Sequence, residues 1–242
     1  MKKKFLIGLF ALAYIMVSSL SLLACSEPRP QKSEQHLQFQ RISGKDEYRV
    51  IGLGNVEELN IIIPKTHNNL PVTEIGIQAF SNDGRGAYII SVFIPESIRN
   101  IANDAFSGCS NLTEIKIPDS VTSIGNSAFS GCSSLTEIEI PDGLTGIGTS
   151  TFSGCRSLTN IEIPDSITSI DNFAFINCSS LTKIIIPKNV AIIGFDAFQY
   201  CNNLTIYCEA ESQPESWHLD WNILSHGLSK TYIPTVWGYT GN

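Results

Sequence analysis

The chain has 242 residues and a formal charge of −7, with only 16% of its residues charged. An acidic chain gains nothing from counterion release on a polyphosphate, which excludes nucleic acid as a partner. Few charges, with frequent Ile, Ser, Gly and Asn, exclude a coiled coil or a disordered tail and fit a β-rich chain with many turns.

Lys2, Lys3 and Lys4 precede an apolar run from Phe5 to Val17, and Ser18 to Ala24 then lead to Cys25. A charged start, a hydrophobic centre and a small residue before the cut make an export signal. Leu22-Leu23-Ala24-Cys25 resembles the bacterial lipobox, which implies that Cys25 becomes the lipid-modified first residue of a mature chain. Residues 1–24 are therefore expected to be a lipoprotein signal peptide. Their loss, with three lysines, takes the formal charge from −7 to −10. The alternatives are a plain cleaved signal and an uncut anchor, for which residues 5–24 are just long enough. Residues 25–36 are polar and contain two prolines, and they read as a tether. Acyl chains on Cys25 would hold the protein at a membrane.

Residues 37–70 read as an N-terminal cap. Leu37 to Ile42 and Tyr48 to Ile51 are alternating runs around Ser43-Gly44-Lys45-Asp46-Glu47, which predicts a β-hairpin. From residue 71 to 208 the chain repeats. Phe106, Phe129, Phe152, Phe175 and Phe198 are spaced by 23 residues, and so are Cys109, Cys132, Cys155, Cys178 and Cys201. Pro95, Pro118, Pro141, Pro164 and Pro187 keep the same step. A fixed period of this length predicts a solenoid, because one unit cannot bury its apolar side alone and stacked units can. In the unit Leu112 to Ser134, Leu112, Ile115 and Ile117 alternate as a strand requires. Pro118 then stops the strand, Val121 and Ile124 supply a second apolar pair, and Ala128-Phe129-Ser130-Gly131-Cys132 closes the coil. An early copy, Val72 to Phe80, lacks the Cys, and its extra residues fall in a loop at Ser81 to Gly86. After Cys208 the repeat stops. Trp217, Trp221, Ile233 and Trp237 are expected to form an irregular C-terminal cap over residues 209–242.

The unit L-T-x-I-x-I-P-D-S-V-T-S-I-G-x-x-A-F-x-G-C resembles the BspA-type, or treponemal-type, leucine-rich repeat of bacterial surface proteins. The resemblance implies a mainly β leucine-rich-repeat solenoid whose strands line one face and whose Phe segments pack on the other. It also implies adhesion to host matrix or to other bacteria, as in some members of that family.

Between the inward isoleucines the strands turn other side chains outward. These are Phe93, then Glu114 and Lys116, Glu137 and Glu139, Asn160 and Glu162, and Lys183 and Ile185. They are the candidate binding face. The competing reading is a solvated face kept charged against self-association. Thr113, Thr136, Thr159 and Thr182 form a hydroxyl row beside it, and Asp119, Asp142 and Asp165 read as turn residues after proline. The in-register cysteines read as buried thiols, with some disulfide as the alternative.

His36, His67, His218 and His226 are scattered, and G-x-S-x-G, H-E-x-x-H and the phosphate-cradling loop are absent. The sequence thus predicts no enzyme, no catalytic residue, no cofactor and no metal. The expected function is a lipid-anchored surface protein that engages a protein or glycan on a host, its matrix or a microbe. The alternative is an envelope scaffold lipoprotein that faces the periplasm without an external ligand.

Overall fold

The computed structural model describes residues 37–55, 59–81, 84–226 and 230–241. The expected signal peptide (1–24), Cys25 and the tether (25–36) lie outside the described residues, as do Asn82 and Asp83 of the expected loop. Among the described residues there is no α-helix; the loop closes through a 3-10 turn, Arg85–Tyr88. No helix of the described residues is long and apolar enough to cross a membrane.

Each coil contributes two short strands, and these form two separate parallel ladders. The first runs through Asn60–Ile62, Ser91–Phe93 and Glu114–Lys116. It narrows to a single bridge between Glu137 and Asn160, then resumes through Lys183–Ile186, Thr205–Cys208 and Thr235–Val236. The second ladder runs through Tyr48–Gly52, Leu70–Ile75, Asn100–Ile101 and Ser123–Ile124, breaks there, and resumes through Gly146–Ile147, Ser169–Ile170 and Ile192–Ile193. Proline ends the first strand of each coil, and a turn follows in which the amide three residues on donates to its carbonyl, as from Val121 to Pro118 at 3.0 Å. Glycine follows the second strand in four coils, as Gly76, Gly125, Gly148 and Gly194, with Ala102 and Asp171 at the equivalent place in two others. A Cβ on Gly125 would lie 2.5 Å from the Asn103 backbone nitrogen, so only glycine lets the coils approach there. The Asn103 carboxamide oxygen accepts the Asn126 amide at 2.9 Å, and Asn126 repeats this with Thr149 at 3.0 Å.

The hairpin appears as expected, with Gln38–Arg41 antiparallel to Tyr48–Gly52. The first ladder, however, begins at Asn60–Ile62, inside the segment read as a cap. Ile61-Ile62-Ile63-Pro64 spells the same I-x-I-P as the later strands, and Ile61 and Ile63 are buried like their counterparts.

One apolar core runs from Leu37 to Ile233. Its spine is a column of Phe80, Phe106, Phe129, Phe152, Phe175 and Phe198, with successive ring centroids 5.0, 5.3, 5.7, 5.4 and 5.4 Å apart and interplanar angles of 16° or less. That is the range of stacked aromatic pairs. Trp221 closes the column edge-on, 6.2 Å from Phe198, and contacts Trp217 and Trp237. The C-terminal cap is more regular than expected. Ile223–His226 pairs with Lys230–Tyr232, and Thr235–Val236 joins the first ladder, because the exposed edge of Thr205–Cys208 offers it unpaired backbone groups.

Truncating Phe152 to alanine removes the middle of this column, and the 23-residue coils cannot shift to refill it. The expected loss is about 3–5 kcal/mol, read as a fall in the midpoint of chemical or thermal unfolding. An unchanged midpoint would contradict the stacking.

Candidate binding face

The cysteines are the most nucleophilic of the repeated side chains among the described residues. All six described thiols are free and buried. Each ladder thiol donates to the phenylalanine carbonyl of the preceding coil. Cys132, Cys155, Cys178 and Cys201 reach Phe106, Phe129, Phe152 and Phe175 at 3.3, 3.3, 3.2 and 3.1 Å. Cys109 reaches Phe80 at 3.9 Å. They therefore do more than fill space: they tie coil to coil beside the aromatic column. Burial pushes Cys109, Cys155 and Cys208 up to about 12 from an ordinary 9.0. Burial raises Cys132 well above that ordinary value, and the neighbouring Cys201 thiol, then burial, raises Cys178. A thiol held protonated in the core is neither a nucleophile nor a metal ligand. Among the described residues no group of three or more His, Cys, Asp or Glu side chains is placed to hold a metal ion.

The first ladder carries the candidate face. Its inward residues Val92, Ile115, Ile138, Ile161, Ile184 and Ile206 are buried. Strand alternation then turns their neighbours outward. Phe93 is 60% exposed, Glu114, Lys116, Glu137, Glu139, Asn160, Glu162 and Lys183 are exposed, and Ile185 is half-buried. The structure sets them in two columns. Ser91 pairs with Glu114 and Phe93 with Lys116, Glu137 with Asn160, and Lys183 and Ile185 with Thr205 and Tyr207. Glu114, Glu137, Glu139 and Glu162 make no ion pair with any described residue. The ladder narrows to its single bridge at these glutamates, consistent with like charges on adjacent strands weakening their pairing.

Three residues of the face escaped the sequence reading. Tyr207 follows Ile185 in the outer column, and Val236 follows Tyr207. The Tyr239 ring lies 4.9 Å from that of Tyr207. The Lys183 ammonium donates to the Tyr239 hydroxyl at 3.3 Å and lies 5.1 and 5.2 Å from the Tyr207 and Tyr239 ring centroids. Tyr207 was legible in principle. The last coil drops one residue between Leu204 and Ile206, which moves Tyr207, not its successor, into the outer column. Val236 and Tyr239 carry no such signal, because they reach the face through the cap.

Thr113 and Thr159 donate to the carbonyls of Ile90 and Thr136, both at 3.2 Å, and so are spent on joining coils. Asp119, Asp142 and Asp165 are exposed in the turns after proline.

Two parallel ladders around a stacked core define a leucine-rich-repeat solenoid with an outward sheet face. Residues 73–205 match the BspA type leucine-rich repeat region in six copies. The chain belongs to the BspA-type leucine-rich-repeat family. Its fold is similar to that of a leucine-rich-repeat protein from T. pallidum, at 29% identity over 78% of this chain and 84% of that one, with a TM-score of 0.69. It also resembles a leucine-rich-repeat protein from Bacteroides ovatus, at 32% identity over 76% of this chain and 41% of that one, TM-score 0.54. A leucine-rich cell surface protein from Faecalibacterium prausnitzii is 32% identical over 78% of this chain and 57% of that one, TM-score 0.55. The chain thus spans about half the length of the latter two. No curated protein sequence matches it. The family points to a repeat-based binding role.

The thiols give a pH test. The folded-state values of Cys109, Cys132, Cys155, Cys178 and Cys208 lie above those of the unfolded chain, so the folded state keeps protons that the unfolded state releases. Stability is complete below pH 9.0 and falls as the pH rises from there toward about 12. The urea midpoint should drop across this window, and Cys155→Ala should flatten the drop. A midpoint independent of pH there would refute the burial of neutral thiols.

Proposed function

We propose that this chain is a lipid-anchored cell-surface binding protein, held through Cys25, whose first-ladder face engages protein or glycan on a host, its matrix or another microbe. The observation that supports it best is the contrast within that ladder. Inward positions are Ile or Val in coil after coil, while outward positions differ from coil to coil in charge and size. The core fixes the inward set by packing, whereas the outward set is free to carry specificity. The export signal and the lipobox support the location, and one similar protein is described as a cell surface protein.

Protease treatment of intact cells, followed by blotting, tests the location. The mature chain should be lost while a periplasmic control survives, and Cys25→Ala should release the chain from the membrane fraction. Survival in intact cells with cleavage after lysis would overturn the surface reading in favour of a periplasm-facing scaffold.

A further inference from the structure

The outward side of the first ladder is a sheet face with nothing from the described chain laid over it, and its two parts differ in chemistry. At the C-terminal end, Ile185, Tyr207 and Val236 follow one another in register, with Val236 42% exposed. Tyr239 flanks them, and Lys183 braces both tyrosine rings from one side. Such a braced aromatic pair is held rigid before any partner arrives, which lowers the entropy lost on binding. In the middle coils stand Glu114, Glu137, Glu139 and Glu162, none of them ion-paired to a described residue, with Lys116 as the cation among them. The whole chain is acidic as well, at −7.

From this layout we infer that the face docks an extended, basic segment of a partner protein. An apolar residue of that segment seats on Ile185, Tyr207 and Val236, and its arginine or lysine side chains run along the glutamates toward Glu114. Charge complementarity selects a basic chain over an acidic polysaccharide, which the four glutamates would repel. The aromatic end argues against a purely diffuse attraction, because buried aromatic anchors concentrate binding energy. The dimensions agree. Coils in the ladder are ~4.8 Å apart and an extended chain puts same-side residues ~6.8 Å apart. Tyr207 to Glu139 is three coils, about 14 Å, or about four residues of the partner. A basic residue four positions from the anchor therefore meets Glu139, and one two positions away stops about 3 Å short of Glu162, a gap that a long arginine or lysine side chain spans.

This inference rests on the binding role proposed for the face but not on the cellular location, so the two fail separately: a chain proved periplasmic could still bind, and a surface chain could fail to. The test uses the full-length chain in detergent and a fluorescent peptide, acetyl-Leu-Ser-Arg-Ser-Arg-Ser-Arg-amide, followed by anisotropy. The peptide should bind, and replacing its arginines with glutamate should abolish binding. Val236→Ser, and separately Glu137→Gln with Glu139→Gln and Glu162→Gln, should each weaken it about tenfold. The glutamine variant should also melt no lower than the parent, since it relieves repulsion on the face; this separates lost binding from lost folding. Asp119→Asn with Asp142→Asn and Asp165→Asn removes the same charge elsewhere and should leave affinity within about twofold. An equal loss in the asparagine and glutamine variants would reduce the effect to diffuse charge and overturn the inference. So would equal binding of the glutamate peptide, or no binding of the arginine peptide.

Discussion

A phenylalanine ring stacked on the same ring of the next coil sets the repeat length of the whole molecule. Six rings lie in one column with centroids between 5.0 and 5.7 Å apart, close to the ~4.8 Å strand spacing of a sheet. Because column and ladders advance at nearly the same rate, a coil can satisfy both at once. The thiol bonds from each cysteine to the previous phenylalanine carbonyl sit at that junction. An added or lost residue within a coil must be absorbed locally or it would break register in both ladders and in the column.

The chain shows how such changes are absorbed. The extra residues before Pro95 bulge into the Arg85–Tyr88 turn, on the route between Phe80 and the first-ladder strand. Gly86 makes this possible, since any Cβ there would overlap the Phe80 carbonyl oxygen. The missing residue in Leu204 to Cys208 is taken from the start of the strand, so that Ile206 and Cys208 still align with Ile184 and Ile186. Left-handed backbone recurs twice per coil: at Asp104, Ser127, Ser150, Phe173 and Asp196, and again at Gly108, Gly131 and Gly154, with φ between 71° and 75°, and then at Asn177 and Tyr200. The bulky Tyr200 keeps φ at 62°, which shows that register overrides the local preference for glycine.

Much of this was legible in the residues because a solenoid is nearly one-dimensional: neighbours in space are found at fixed sequence steps. The buried phenylalanines and cysteines, the inward isoleucines and the outward Phe93 to Ile185 set all follow from period and alternation. The rest was hidden for identifiable reasons. The second ladder engages only two residues per coil from Asn100 onward, too few for alternation to register. The thiol bonds depend on where the preceding coil's carbonyl points. Val236 and Tyr239 join the face by a long-range return of the cap, which no repeat encodes. Ile61 to Pro64 did carry the strand motif, but without the Phe and Cys landmarks that identify the other copies.

The direction of the ladder hydrogen bonds has a mechanical meaning. In both ladders they run along the solenoid axis, from one coil to the next. Tension applied along that axis would load the coil boundaries in series, so that the coils peel apart one boundary at a time instead of yielding together. Between Lys116 and Lys183 the first ladder keeps only the lone Glu137–Asn160 bridge, so the boundaries there have the fewest first-ladder bonds to break. A pull transmitted along this molecule would therefore open first in its middle, leaving the aromatic column to act there as a hinge.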